Sequence, residues 1–234
     1  WSPPLPSAKY TRMETLREGL EIRKNVFGTL HLETIRSQTN AAYLLSIHGN
    51  QEKCLQLLKE ILDPVIAKYG LYFFEIQNIY AALSLCEQRS DDFVEAEIYA
   101  LQANKIAEKI FHPLDPLIGD SYNDLSEIYS FQEKYKLTLS YQLKAAKLDW
   151  ERNLSNYVLA DEFNSDIQTD DILDYIAKLV ILKSWKPDEF SNVKYDDAFN
   201  LIQSISDIQA SKALKKASLR VFSKNDSLNN IIKT

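Results

Sequence analysis

Glycine and proline are scarce in this sequence, with 5 glycines and 7 prolines among 234 residues. Sheet-rich and α/β proteins use many glycine turns, so this scarcity favours long helices joined by short connections. Hydrophobic residues make up 45% of the chain and charged residues 26%, which is enough for a sizeable core in one or two globular domains. We therefore predict an all-α protein.

Positive charge is also in deficit. The chain has 27 Lys and Arg residues against 33 Asp and Glu residues, a formal net charge of -6. A chain with this balance has no overall attraction to nucleic-acid phosphates or anionic lipid, although a local basic patch can remain. We therefore expect no nucleic acid among its partners.

Long apolar runs are missing. No window approaches the roughly 18 consecutive apolar residues of a membrane span, and the opening segment WSPPLPSAKY lacks the charged and apolar regions of a secretory signal. We expect no membrane span and a cytoplasmic location. The chain opens on Trp1 and its only methionine is Met13, so we expect it to be a piece of a longer polypeptide.

The few cysteines and histidines do not form a recognisable site. Cys54 and Cys86 have neither CxxC nor histidine-linked spacing, so we expect reduced, buried thiols, which fits a cytosolic protein. The histidines, His31, His48 and His112, fall between predicted helices rather than beside a nucleophile.

Sequence motifs for catalysis are missing as well. The chain has no glycine-rich phosphate loop, no HExxH and no zinc-type array. Paired acids such as Asp91–Asp92 suit helix starts, where they cap the helix and complement its dipole. We expect no catalytic residue, no metal and no cofactor, and therefore no enzyme.

What the sequence does contain is an internal repeat. A shift of 42 residues places Leu125–Ser126 under Leu83–Ser84 without a gap, and a second shift places Ala41–Ala42 in the same register. Three units align in this way, preceded by part of a fourth.

Each unit has two stretches with apolar positions at helical spacing, joined by a short polar break, as in 76–88 followed by 93–111. Small residues recur where the two helices must approach closely. In the second helix, an aromatic residue, Phe93 or Tyr135, stands three positions before the small residue. Such hairpins cover their faces by stacking on one another. The small positions are Ala42, Ser84 and Ser126 in the first helices and Cys54, Ala96 and Thr138 in the second.

The pattern resembles the tetratricopeptide repeat (TPR), in the 42-residue form of the kinesin light chains, over roughly residues 9–152. In that form the first helix reads N-L-A-x-x-Y and the second begins Y-x-E-A-E; the matching stretches are 40–45, 124–129 and 93–97. The resemblance implies a right-handed α-solenoid of antiparallel helical hairpins. An alternative is the helical region that closes SET-and-MYND lysine methyltransferases, although their zinc and methyl-donor motifs are absent from this sequence.

The repeat register predicts the domain organisation. We expect an extended segment at 1–8, a partial unit at 9–30, and full units at 31–72, 73–114 and 115–153. Pro64 should kink the second helix of the first unit. A polar linker at 153–169 and a helical cap and tail at 170–234 should follow, with helices near 170–185, 195–208 and 211–223.

The resemblance also implies a concave groove formed by the first helices. We expect Asn40, Asn78 and Asn123 to hold a peptide backbone, and Arg36 and Arg89 to meet acidic side chains. A solvated face, or a groove that receives the chain's own C-terminal helix, is the alternative. The groove positions are Arg36, Thr39, Asn40, Tyr43 and Ile47; Asn78, Ala81, Ala82, Leu85 and Arg89; and Asp120, Asn123, Asp124, Glu127 and Phe131.

One basic segment, SKALKKASLRVFSK at 211–224, stands out from the acidic chain. It predicts either a capping helix whose lysines face water or an amphipathic helix that docks on an acidic partner. For the chain as a whole we expect a protein-interaction module that acts as an adaptor or scaffold. The alternatives are an architectural subunit of a motor, ciliary or organellar assembly, and the docking or regulatory part of an enzyme.

Overall fold

The computed structural model describes residues 8–159 and 170–207, and within these ranges it contains helices and no strand. The helices are α1 (Ala8–Phe27), α2 (Leu32–Ile47), α3 (Gln51–Tyr69), α4 (Phe74–Gln88), α5 (Phe93–Ile110), α6 (Pro116–Phe131), α7 (Tyr135–Leu159), α8 (Asp170–Trp185) and α9 (196–207). The predicted all-α class is confirmed. None of the described helices combines the length and apolarity needed to cross a membrane.

The chain divides into two compact units, Trp1–Ala145 and Ala146–Thr234. In the first unit, α1 to α6 pack in chain order as successive helical hairpins, and α2 also packs directly against α4. Helices α2, α4 and α6 begin at residues 32, 74 and 116, and α3, α5 and α7 begin at residues 51, 93 and 135. Each helix therefore begins 42 residues after its counterpart in the preceding hairpin. This is the predicted solenoid architecture.

The turn inside each hairpin repeats the same backbone geometry. Gly49, Asp91 and Glu133 occupy equivalent positions, and their φ angles are 82°, 60° and 58°, in the left-handed region. A residue in this conformation ends a helix in the Schellman motif, in which the next N–H bonds back to a carbonyl five residues earlier. These bonds run from Asn50 N to Leu45 O (2.9 Å), from Asp92 N to Glu87 O (3.0 Å) and from Lys134 N to Tyr129 O (2.8 Å).

Small residues let the two helices of each hairpin approach closely. Ser84 Oγ donates to Ala96 O at 2.9 Å, and Ser126 Oγ donates to Thr138 O at 3.1 Å, one hairpin later. Ala42 of the first hairpin has no hydroxyl to donate. All six small positions predicted from the repeat are buried. The hydrogen bond therefore ties first helix to second only where the sequence places serine.

Cys54 of α3 and Cys86 of α4 form a disulfide, with their Cα atoms 6.3 Å apart. The prediction of reduced thiols is therefore wrong, while the predicted burial of both residues is correct. Short cysteine motifs could not reveal this pair, because 32 residues separate its members and only the packing of α3 on α4 brings them together. Disulfides persist mainly in oxidising compartments, so the pair removes one support for a cytosolic location.

One expectation about a helix limit is corrected. The linker predicted from residue 153 does not begin there, because α7 continues to Leu159. The reason is that no glycine or proline interrupts the chain from Tyr135 to Leu159. Pro64 lies inside α3, as expected, and α3 continues on both sides of it, so the kink predicted there stays a prediction. The rest of the predicted linker, 160–169, and the basic segment 211–224 lie outside the described residues.

The second unit has its own small core. In α8, Ile172, Tyr175, Leu179 and Leu182 are buried at helical spacing, and Phe190 in the following turn is fully buried. Lys183 Nζ donates to the Phe190 carbonyl at 3.3 Å, which holds that turn against α8. In addition, Lys147 of α7 pairs with Asp197 of α9 at 2.8 Å. The helix predicted at 195–208 is observed at 196–207.

The turn geometry predicts two substitutions of opposite effect. A left-handed non-glycine residue costs about 1–2 kcal/mol, and glycine costs about 0.5–1 kcal/mol in unfolded-state entropy. We therefore expect Glu133→Gly to raise the free energy of unfolding by about 0.5–1 kcal/mol and Gly49→Ala to lower it by about 1 kcal/mol. Urea denaturation measures both. A loss of stability in both variants would contradict the shared geometry.

Candidate functional site

A concave pocket of about 590 Å³ lies in the first unit between the first helices of the three hairpins, α2, α4 and α6. It exists because α2 packs directly against α4, so that the first helices form one side of the stacked hairpins. Its lining mixes amide, charged and apolar side chains. The lining residues are Arg36, Thr39, Asn40 and Tyr43; Phe74, Glu75, Asn78, Ala81, Ala82, Leu85 and Gln88; and Asp124.

Nine of the fifteen predicted groove positions line this pocket. They are Arg36, Thr39, Asn40, Tyr43, Asn78, Ala81, Ala82, Leu85 and Asp124. The structure does not bring the other six into the lining, namely Ile47, Arg89, Asp120, Asn123, Glu127 and Phe131. The pocket therefore occupies the α2–α4 part of the predicted groove and reaches α6 through one residue.

Contacts with other helices explain two of the six. Asn123 Oδ1 accepts a hydrogen bond from Gln142 Nε2 of α7 at 3.1 Å, so the acceptor that we assigned to a peptide backbone already has a donor. Phe131 stacks on Phe93 of α5, with ring centroids 4.7 Å apart. Arg89 is the C-cap residue of α4, past the end of the pocket.

A charged network closes the floor of the pocket. Glu75 is buried, and its carboxylate accepts from Arg36 Nε at 2.5 Å and from Asn78 Nδ2 at 3.1 Å. Arg36 also lies 3.4 Å from Glu33 and places its guanidinium over the Phe74 ring, 5.3 Å from the centroid. The hydrogen bond to Glu75 is the main cause that raises the pKa of Arg36.

Sequence analysis missed Phe74, Glu75 and Gln88 as pocket residues. Glu75 is the repeat equivalent of Glu33, yet Glu33 is exposed and Glu75 is buried. The difference arises because α4 has Arg36 of the preceding first helix as a neighbour. A usable signal was the spacing of 39 residues between Arg36 and Glu75, slightly less than one repeat, which places opposite charges on adjacent first helices.

The α6 residue of the lining, Asp124, carries a negative charge that burial makes costly. Burial raises the pKa of Asp124 to about 6, and the nearby carboxylates of Asp120 and Glu127 add to the effect. Asp120 and Glu127 are exposed and lie four residues before and three residues after Asp124, on the same face of α6. We call Asp120, Asp124 and Glu127 the acidic row.

The apolar part of the lining comes from α2 and α4. Tyr43 is 48% exposed, and Phe74 and Leu85 are half-buried. An aromatic side chain this exposed in a concave site offers contact area that the fold itself does not use. Over the described residues, no group of three or more His, Cys, Asp or Glu side chains is arranged to hold a metal ion.

The Arg36–Glu75 pair predicts a measurable coupling. Arg36→Met keeps an apolar stem over Phe74 but leaves the buried Glu75 carboxylate without its cation, and we expect the Tm to fall by about 2–4 °C. Adding Glu75→Gln removes the stranded charge, so the double variant should recover part of that loss. The Tm values of all four proteins form the cycle. Additive losses would contradict a coupled pair.

Asp124 predicts a stability gain on removal of its charge. The pKa of Asp124 is about 6 in the folded protein, against 3.8 for an unperturbed aspartate. The charge of Asp124 therefore destabilises the folded state in full above pH 6 and has no effect on stability below about pH 4. We expect Asp124→Asn to raise the free energy of unfolding by about 1–3 kcal/mol at pH 7.5 and by little at pH 4. Denaturation at both pH values measures this; a gain that is equal at both would contradict it.

No protein-family model and no curated protein matches the sequence. Solved structures do match. A crystal structure of nearly identical TPR-like repeats, from a kinesin-light-chain-like protein of Podosopora anserina, aligns with a TM-score of 0.55 and 16% identity over 87% of this chain and 88% of that chain. A variant of those repeats aligns with a TM-score of 0.46 and 11% identity over 81% and 95%. The first match confirms that the chain has a TPR-like repeat fold.

Proposed function

We propose that this chain binds an extended segment of a partner protein in the pocket between α2, α4 and α6, and that it serves as an adaptor or scaffold. The observation that carries the proposal is the pocket itself. Its floor is held by the Arg36–Glu75 pair, while Tyr43 remains 48% exposed above it. Tyr43, Phe74 and Leu85 together give the pocket an apolar surface that a ligand side chain can cover.

The size and lining of the pocket suit a short run of peptide. A volume of about 590 Å³ lies within the range of ligand sites and accommodates a few side chains. Asn40 is exposed at the pocket, and its amide can both donate and accept, as a peptide backbone requires. Tyr43, Phe74 and Leu85 supply the apolar contact that anchors one side chain.

A second candidate is a permanent architectural role. It is favoured by an exposed apolar face on α8, which carries Leu173 (57% exposed), Val180 (46%) and Ile181 (61%) at spacings of one helical face. Contiguous exposed apolar surface of this kind is typical of contacts with another protein. In this role whole faces, rather than the pocket, would hold the partner.

The test is selection of peptides from a random display library on the full chain, followed by affinity measurement on variants. Tyr43→Ala combined with Leu85→Ala should weaken the selected peptides by about tenfold or more. Arg36 is left intact, because a carboxylate or a gap there would disturb Glu75. Val94→Ala is the matched control, since Val94 is 67% exposed on α5, a second helix.

The outcomes separate the candidates. If the peptides bind the pocket variant more weakly than the wild type, and bind Val94→Ala as tightly as the wild type, the result supports the pocket as the binding site. Peptides or partners that bind the pocket variant unchanged, but lose affinity to Ile181→Ser, contradict it and favour the architectural role. Circular dichroism of each variant checks that helicity is retained.

A further inference from the structure

The charges of the pocket identify the chemistry of its ligand. Three charged side chains line it, Arg36, Glu75 and Asp124. Arg36 and Glu75 neutralise one another, with Nε and Oε1 2.5 Å apart, and Glu33 lies 3.4 Å from Arg36 on its other side. The electrostatic environment of Asp124 differs from that of Arg36, because the nearby carboxylates of Asp120 and Glu127 both repel its charge. The pocket therefore presents negative charge to a ligand.

We infer that the pocket selects an extended peptide segment that carries lysine or arginine beside an apolar side chain. This inference rests on the function proposed above, and it names the class of peptide. The apolar side chain packs on Tyr43, Phe74 and Leu85 of the α2–α4 wall. The cation lies against Asp124 of α6, which lines the same pocket.

Arg36 does not act as the anion receptor that the sequence predicted. Its guanidinium already donates to Glu75 and Glu33 and covers Phe74. Arg36 is already paired with two carboxylates, so it offers an acidic ligand little net positive charge, and such a ligand would also approach Asp124. A basic ligand meets neither obstacle. Complementarity of charge therefore favours a cationic segment over an anionic one.

The acidic row is suited to a flexible cation. Asp124 lines the pocket and is half-buried, so the long stem of a lysine or arginine can bring its charge to this carboxylate. The raised pKa of Asp124 agrees with this, since burial and the carboxylates of Asp120 and Glu127 all disfavour its charged form. The Asp124 carboxylate destabilises the fold but can stabilise a bound cation, and charged groups of this kind are common in binding sites.

The first experiment reads the composition of the peptides selected on the full chain. Synthetic copies with neutralised termini are then made in three forms, with the selected basic residue kept, replaced by glutamine, or replaced by glutamate. We expect fluorescence anisotropy at pH 7.5 to show the highest affinity for the basic form, about fivefold lower affinity for the glutamine form, and about fivefold lower again for the glutamate form. Enrichment of acidic peptides, or equal affinity for the three forms, would overturn the inference.

The second experiment assigns the selectivity to the acidic row. Asp124→Asn should weaken the basic peptide about fivefold and leave its glutamine form unchanged. Glu95→Gln is the matched control, because it removes one negative charge from an exposed position on α5. If both variants weaken the basic peptide alike, net charge rather than the pocket is responsible, and the assignment to this site is overturned.

A pH series gives an independent reading. Between pH 7.5 and pH 5 the peptide lysine stays charged, while Asp124 becomes protonated near pH 6 and its neighbours Asp120 and Glu127 act on it from the same helix. Across the pocket, Arg36 and Glu75 are the charged groups that face it. Wild-type affinity for the basic peptide should fall about fivefold over this range, and the affinity of Asp124→Asn should not. A parallel fall in both would overturn the assignment.

Failure of the inference is distinguishable from failure of the proposed function. Peptides that require Tyr43 and Leu85 but show no preference for a cation leave the pocket as a peptide site and refute its charge selectivity. Peptides that ignore the Tyr43→Ala, Leu85→Ala variant refute both. Because Asp124→Asn is expected to stabilise the fold, a loss of affinity in that variant cannot be attributed to unfolding.

Discussion

Close approach of paired helices at small, buried residues is the contact on which the rest of this structure depends. In two hairpins the first helix lies near enough to the second for a serine hydroxyl to reach a backbone carbonyl. These contacts join Ser84 to Ala96 and Ser126 to Thr138. Because the second helix of each hairpin then packs against the next first helix, the first helices are left side by side. The pocket between α2, α4 and α6 is a consequence of that arrangement, since neighbouring first helices provide both its floor and its walls.

The same arrangement decides which charges the protein uses internally. Glu75 is buried because α4 has a preceding first helix beside it, and Arg36 of that helix supplies the cation that burial requires. Asp124 is half-buried on α6, and the neighbouring carboxylates of Asp120 and Glu127 repel its charge. A paired charge between α2 and α4 and a half-buried acid on α6 together give the pocket its polarity. The proposed preference of the pocket for a cation follows because Arg36 and Glu75 already pair with each other, whereas Asp124 lies beside other carboxylates.

Much of the fold was predictable because the repeat is written in local features. The register at Ala41–Ala42, Leu83–Ser84 and Leu125–Ser126 predicted where hairpins begin and which faces approach, and nine of the fifteen predicted groove positions line the observed pocket. Two of the errors share a cause. Cys54 and Cys86, like Arg36 and Glu75, interact between helices of neighbouring hairpins, at separations of 32 and 39 residues that no motif within one hairpin contains.

The sequence by itself determined the helices, their turns and the order of the hairpins, because apolar spacing, small residues and the left-handed turn at Gly49 and its equivalents act over a few residues. Only the tertiary structure decided which polar groups face one another. The sequence presents Arg36 as an available cation and Asp124 as one acid among many. Burial and the neighbouring helices reverse these roles, since the free energy of a charge depends on the solvent it has lost and the partners it has gained.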